Sequence, residues 1–133
     1  MEFKYFPLFF VGLISGIIIF QSSVIPPSIN KLLNEQDAGR YLRYIWPRFF
    51  VIVSLLSLIC FILILIFSPD QYISQILSIV SSFIMIICYI AVPYMNKARD
   101  MKKEKTFFIM HTGSVLLTFI ALIINISIFF VWN

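Results

Sequence analysis

The sequence predicts an all-α, polytopic membrane protein: a four-transmembrane-helix bundle with a short interfacial helix in the first loop. Three observations carry this expectation. The 133 residues are 61% hydrophobic and only 12% charged, against about 25% charged residues in a soluble domain. The apolar residues fall in four runs without charge at their centres, each near the roughly 20 residues that a bilayer crossing takes. The charges sit between the runs rather than on alternate faces of them. A small soluble domain leaves roughly 40% of its surface in water, and a chain with a mean hydropathy of +1.00 has too little polar surface for that. Lipid removes the difficulty. The four runs consume most of the chain, so a single membrane domain over 1–133 is expected, with no separate soluble domain.

The first span covers about 6–24 and opens Phe6-Pro7-Leu8-Phe9-Phe10. A leader peptide is the rival reading. The run is longer than a usual leader core, its flank carries Glu2 as well as Lys4, and no small-x-small cleavage site follows. Pro26-Pro27 ends the span. In the polar connection that follows, Ile29, Leu32, Leu33, Tyr41, Leu42 and Ile45 recur at roughly helical spacing, which predicts a helix in the headgroup plane. Ser28 is placed to cap it, Gly39 loosens it, and Tyr41, Tyr44 and Trp46 are its interfacial aromatics. The second span covers about 47–67, with Pro47 in its first turn, where proline is tolerated. Ser68-Pro69-Asp70-Gln71 is a tight turn. The third span covers about 72–94 and closes at Pro93 and Tyr94. A basic loop follows over 95–106, and the fourth span covers about 107–132.

Charge sets the expected orientation. Nine of the ten Lys and Arg residues lie in or beside the loops at 25–46 and 95–106, and only Lys4 lies on the other side. The positive-inside rule makes those two loops cytoplasmic and puts both termini outside. A net charge of +4 would suggest nucleic acid in a soluble protein. Here it reads as topology and contact with anionic headgroups, so the expected partner is the lipid bilayer and not nucleic acid. A bacterial plasma (inner) membrane is the expected location.

Polar residues within spans are costly in lipid, so their placement is informative. His111, Ser114, Thr118, Ala121 and Asn125 recur at steps of three and four and form one seam of the fourth span. Small and hydroxylated residues on such a seam let helices approach and hydrogen-bond, and Asn125 is read as a packing residue. His111 is the only histidine; it can donate and accept, and its charge can change near neutral pH. Gln21, Ser22 and Ser23 end the first span at the same depth, and Arg48 opens the second. His111, Ser114, Thr118, Gln21, Ser22 and Arg48 are therefore the ligand or proton-handling candidates, with snorkelling to phosphates as the rival role for Arg48. Gly12 and Gly16 form a small-xxx-small pair suited to helix packing within the bundle or between subunits. Ser74, Ser78, Ser81, Met85 and Cys88 form a packing stripe on the third span.

No metal site and no catalytic residues are expected. Cys60 and Cys88 differ in depth by roughly 10 Å along their helices, too far for a shared metal or a disulfide. One histidine cannot supply two haem ligands from one chain. The six acidic residues all lie outside the apolar runs, which argues against a carboxylate-based carrier.

Several of these features together resemble a known family. Gly12 and Gly16 precede the exit prolines Pro26 and Pro27. Ala38-Gly39 leads to Trp46-Pro47-Arg48-Phe49-Phe50. Pro93 ends the third span, and the fourth opens Phe107-Phe108-Ile109-Met110-His111 and continues to Ser114. In this the chain resembles the transmembrane-protein-205-like proteins, a four-helix membrane domain of unknown function of the DUF4149 type. The family pattern carries an Asn at the place of Thr118. The resemblance implies the four-helix fold and emphasises His111 and Ser114; it implies no reaction. A more distant likeness is to CopD-type copper-resistance membrane domains, whose rich ligand set this chain lacks.

The leading expectation is a non-enzymatic integral membrane protein with a cytoplasm-facing polar pocket around His111 for a small molecule or ion, and no cofactor is assigned. Two alternatives stay open. One is a redox membrane protein binding haem, copper or quinone. The other is a structural or assembly partner of another membrane protein, or a homo-oligomer, joined through the Gly12/Gly16 face.

Overall fold

A computed structural model of the chain describes residues 3–133. Glu2, which entered the leader-peptide argument, lies outside the described residues. A single 3-10 turn, Phe3–Tyr5, leads into five helices: α1 (Phe6–Ser23), α2 (Ile25–Leu32), α3 (Glu35–Phe67), α4 (Tyr72–Asp100) and α5 (Glu104–Val131). There is no strand among the described residues. Four segments are long and apolar enough to cross a membrane, with α1 and α2 together making the first. The expected all-α four-helix membrane bundle is the fold observed.

The helices pack in a ring. Helix α1 lies against α3 and α5, α3 against α4, and α4 against α5, so α3 and α5 face each other across the ring with their Cα atoms more than 8 Å apart. Within the spans, polar residues such as Ser57, Ser74, Ser81 and Asn125 turn inward while large apolar side chains face outward. Asn125 is 1% exposed, whereas Phe130 is 83% exposed. That inversion suits a bilayer, where lipid gives no hydrophobic drive between helices and packing and hydrogen bonds take over. Ser54 and Ser82 meet with their hydroxyls 3.0 Å apart. The hydroxyl of Ser82 donates to the Ser54 carbonyl, and that of Ser78 donates to the Ser57 carbonyl at 2.8 Å. Ser57 also reaches Ser81. Three of the five serines in this α3–α4 zipper, Ser54, Ser57 and Ser82, were not foreseen.

Helix limits depart from the sequence expectation in an instructive way. Pro47 and Pro93 both lie inside helices rather than at their ends. Each proline removes only one amide donor, and packed neighbours let a membrane helix carry it. Helix α3 therefore starts twelve residues before Pro47, at Glu35, capped by the Asn34 side chain, which accepts from the Asp37 amide at 2.9 Å. The single short helix expected in the first loop is divided: Ile29 and Leu32 lie in α2, Leu33 ends it, and Tyr41, Leu42, Tyr44, Ile45 and Trp46 belong to the first turns of α3. Ser28 does not cap α2: its hydroxyl donates to the Val24 carbonyl within the helix. The break between α1 and α2 follows from Pro26 and Pro27, which cannot donate to the carbonyls of Ser22 and Ser23.

Lengths then set the shape. At 1.5 Å per residue the 18 residues of α1 span about 27 Å, close to one hydrocarbon thickness, while the 33 of α3 span about 50 Å. Helices α3, α4 and α5 thus run on past the end of α1, and α2 folds over the gap with Ile29 buried. The other end is clamped. Ser68 donates to the Lys4 carbonyl at 2.9 Å, and Gln71 donates to the Asn133 carbonyl at 2.7 Å.

Candidate functional site

The overrunning ends of α3, α4 and α5 carry most of the basic residues, and the interior of the bundle is least filled there. Two adjoining cavities open at this basic end. The first, about 70 Å³, lies toward α4 and is lined by Arg43, Trp46, Asn96, Arg99, His111 and Ser114 among others. The second, about 360 Å³, lies toward α1 and α2 and is lined by Ser22, Asn30, Trp46, His111 and Thr118 among others. Leu42, Trp46, His111 and Val115 line both and form the waist between them. The larger volume falls in the range of small-molecule sites, about 300–1,000 Å³.

Each wall is a helical seam. On α3 the steps Leu42, Arg43, Trp46 and Phe50 face inward; on α4 they are Val92, Met95, Asn96 and Arg99; on α5, Phe107, His111, Ser114 and Thr118. Spacings of three and four residues put each set on one side of its helix. Aromatic contacts fix the waist. Trp46 stacks on Phe50 with centroids 5.7 Å apart, and His111 lies parallel to Phe107 at the same distance. The Arg99 guanidinium lies 5.5 Å from the Phe107 ring centre and 3.7 Å from where a side chain on Gly39 would begin. That is ordinary contact distance, so Arg99 of α4 settles on α3 beside Gly39 without requiring a glycine there.

The two arginines of the first cavity differ in their partners. Arg43 donates through both terminal nitrogens to Asp100, one bond measuring 3.2 Å, and so ties α3 to α4. Arg99 makes no hydrogen bond or ion pair with a carboxylate among the described residues, and its side chain is half-buried. The rim thus presents a guanidinium with no direct ion pair, although its charge reaches the neighbouring Asp100 and Glu35 lines the shallow cleft outside it.

The sequence candidates separate into three places. His111, Ser114, Thr118 and Ser22 come together on the cavity walls. Gln21 does not join them. It is buried beside an open groove on α1 that Gly12 and Gly16 also line, and its amide nitrogen has no partner among the described residues. Arg48 points out of the bundle, its guanidinium 3.5 Å from the Tyr44 ring centre and donating to the Tyr44 carbonyl. Asn125 lies deeper, donating to the Val11 carbonyl at 2.7 Å and to Ser15 at 2.8 Å. A side chain at Gly16 would meet nothing within 4 Å, and one at Gly12 only Phe129 at 4.0 Å, so no helix within the chain presses closely on either glycine. Arg43, Asn96, Arg99, Asn30 and Trp46 were not foreseen as lining residues. The seam at Arg43, Trp46 and Phe50 was readable, but only if the helix is carried back through Pro47.

Cys60 and Cys88 are buried free thiols on separate interfaces, directed at the Pro7 and Ser114 carbonyls. No group of three His, Cys, Asp or Glu side chains among the described residues is arranged to hold a metal.

Compared with known families, the chain matches the family described as a domain of unknown function (DUF4149) over residues 8–105. The chain belongs to that family. The DUF4149 stretch takes in α1 to α4 and the α4–α5 turn, including Arg43, Trp46, Asn96 and Arg99 of the first cavity. His111, Ser114 and Thr118 lie beyond it on α5. No curated protein and no solved structure matches the chain.

Proposed function

We propose that this DUF4149 protein is a non-enzymatic membrane protein that receives a small ligand in the cavity around His111, from the cytoplasmic side. The observation that supports this reading is the pair of adjoining cavities at the basic end, which share His111 and Trp46 as their waist. The basic residues around them make that end cytoplasmic by the positive-inside rule, with 97–105 as a cytoplasmic loop and both termini outside. The cavity is walled mainly by apolar and aromatic side chains with a few converging polar groups, the usual make-up of a ligand site. We also infer a kinship with the transmembrane-protein-205-like proteins, resting on the glycines of α1, the Trp46-Pro47-Arg48-Phe49-Phe50 run and the Phe107–His111 opening of α5.

The test is retention of a small molecule on purification. Mass spectrometry of the detergent-solubilised protein is expected to show a bound small molecule in the wild type and its loss in His111→Leu, with both proteins folded. Equal content in both, or none in either, contradicts the reading.

A further inference from the structure

The cavities around His111 do not end at the waist. The second shares Ser22 and Phe119 with a third of about 150 Å³, which lies between α1 and α5 and is otherwise walled by Ile18, Ile19, Ser23 and Leu122. The three form one track with a polarity gradient. At one end stand Arg43, Asn96 and Arg99. In the middle lie Trp46 and His111. At the far end charge is absent, the walls are mainly aliphatic and aromatic with Ser22 and Ser23 on the α1 side, and Ile19 is 48% exposed.

We propose that the ligand class is an amphipathic anion, its head held by Arg99 and its apolar chain lying past Trp46 and His111 into the α1–α5 groove. This rests on the cavity reading above and narrows it. Both terminal nitrogens of Arg43 are engaged by Asp100, whereas Arg99 feels Asp100 only through space and keeps its donors free of any carboxylate among the described residues, so Arg99 is the guanidinium available to a ligand. A guanidinium presents a planar fork of donors that matches a carboxylate or phosphate, and Asn96 stands beside it with a further donor. A cationic ligand would meet two arginines at the mouth. A free inorganic anion would leave the apolar part of the track empty. The gradient from charged rim to aliphatic groove fits a molecule with both parts, whether a bilayer phospholipid or a free single-chain amphiphile.

The experiment is thermal unfolding of the full chain in a neutral maltoside detergent, titrated at equal concentrations with dodecyl phosphate, dodecyltrimethylammonium or inorganic phosphate. Dodecyl phosphate is expected to raise the unfolding temperature of the wild type, and the other two are not. Arg99→Gln is expected to weaken the dodecyl phosphate effect by about tenfold in apparent affinity, the loss of one charged hydrogen bond. Arg99→Lys is expected to fall between. A parallel titration with a dioleoyl anionic phospholipid identifies the source: an equal effect assigns the occupant to the bilayer, and a smaller one to a free amphiphile. An equal response to inorganic phosphate, or to the cationic amphiphile, overturns the proposal. Val115→Phe, which fills the waist, separates the two levels. If Val115→Phe abolishes the dodecyl phosphate effect and Arg99→Gln does not, the cavity stands and the anion assignment falls. If neither substitution changes it, the cavity reading falls as well.

Discussion

Asn125 donates its amide into α1 at a depth where no water competes, and each acceptor there belongs to a different side-chain or backbone group. Interhelical bonds of this kind contribute about 1 kcal/mol in membrane bundles. Asn125→Ala is therefore expected to lower stability by about 1 kcal/mol in a denaturant titration of detergent-solubilised protein. Ser127→Ala, which removes only a bond to the residue's own helix, is expected to change little. Equal effects would remove Asn125 from the α1–α5 interface. His111 shares the Asn125 seam in sequence, yet its surroundings differ completely: it stacks on Phe107 and lines open space. The seam was legible because steps of three and four identify one side of a helix. What happens along it was not, because the helices separate toward the basic end and a periodicity carries no information about separation. Arg99 illustrates the same limit. As one of nine clustered cations it looked like a topology signal, and only the pairing of Arg43 with Asp100 distinguishes it.

At the level of elements, prolines were the least reliable guide. Pro47 and Pro93 read as helix ends because a proline removes a donor and disfavours helix before it. In α3 and α4 the chain continues through both. Pro26-Pro27 does break its helix, since two consecutive missing donors leave the carbonyls of Ser22 and Ser23 unserved together. The α4–α5 turn shows a different economy. Lys102 adopts φ 54°, the Lys103 amide bonds the Ala98 carbonyl and the Lys102 amide bonds the Arg99 carbonyl, the pattern of a Schellman ending in which glycine is favoured. Lys102→Gly is expected to stabilise the protein by about 1 kcal/mol through relief of the left-handed backbone. A loss of stability on thermal unfolding would show that the lysine side chain contributes more than the backbone costs.

The whole molecule is a ring of helices closed at one end and open at the other. The 68–71 turn is tied to Lys4 and Asn133, whereas the basic end is held by the Arg43–Asp100 pair and covered by the short α2. Four spans and a basic face were legible from hydropathy and charge alone, because those properties are summed along the chain. The cavity was anticipated through His111 and Ser114 but not in its extent, which depends on α3, α4 and α5 outrunning α1. Entry of a ligand from the cytoplasm depends on which side of the membrane that open end faces. Cys60 and Cys88 are fully buried, so single cysteines introduced at Lys103 and at Asp70 can be followed with a membrane-impermeant maleimide in intact cells. Asp70→Cys is expected to label directly and Lys103→Cys only after permeabilisation. The reverse pattern would place the cavity on the outer face and contradict the account.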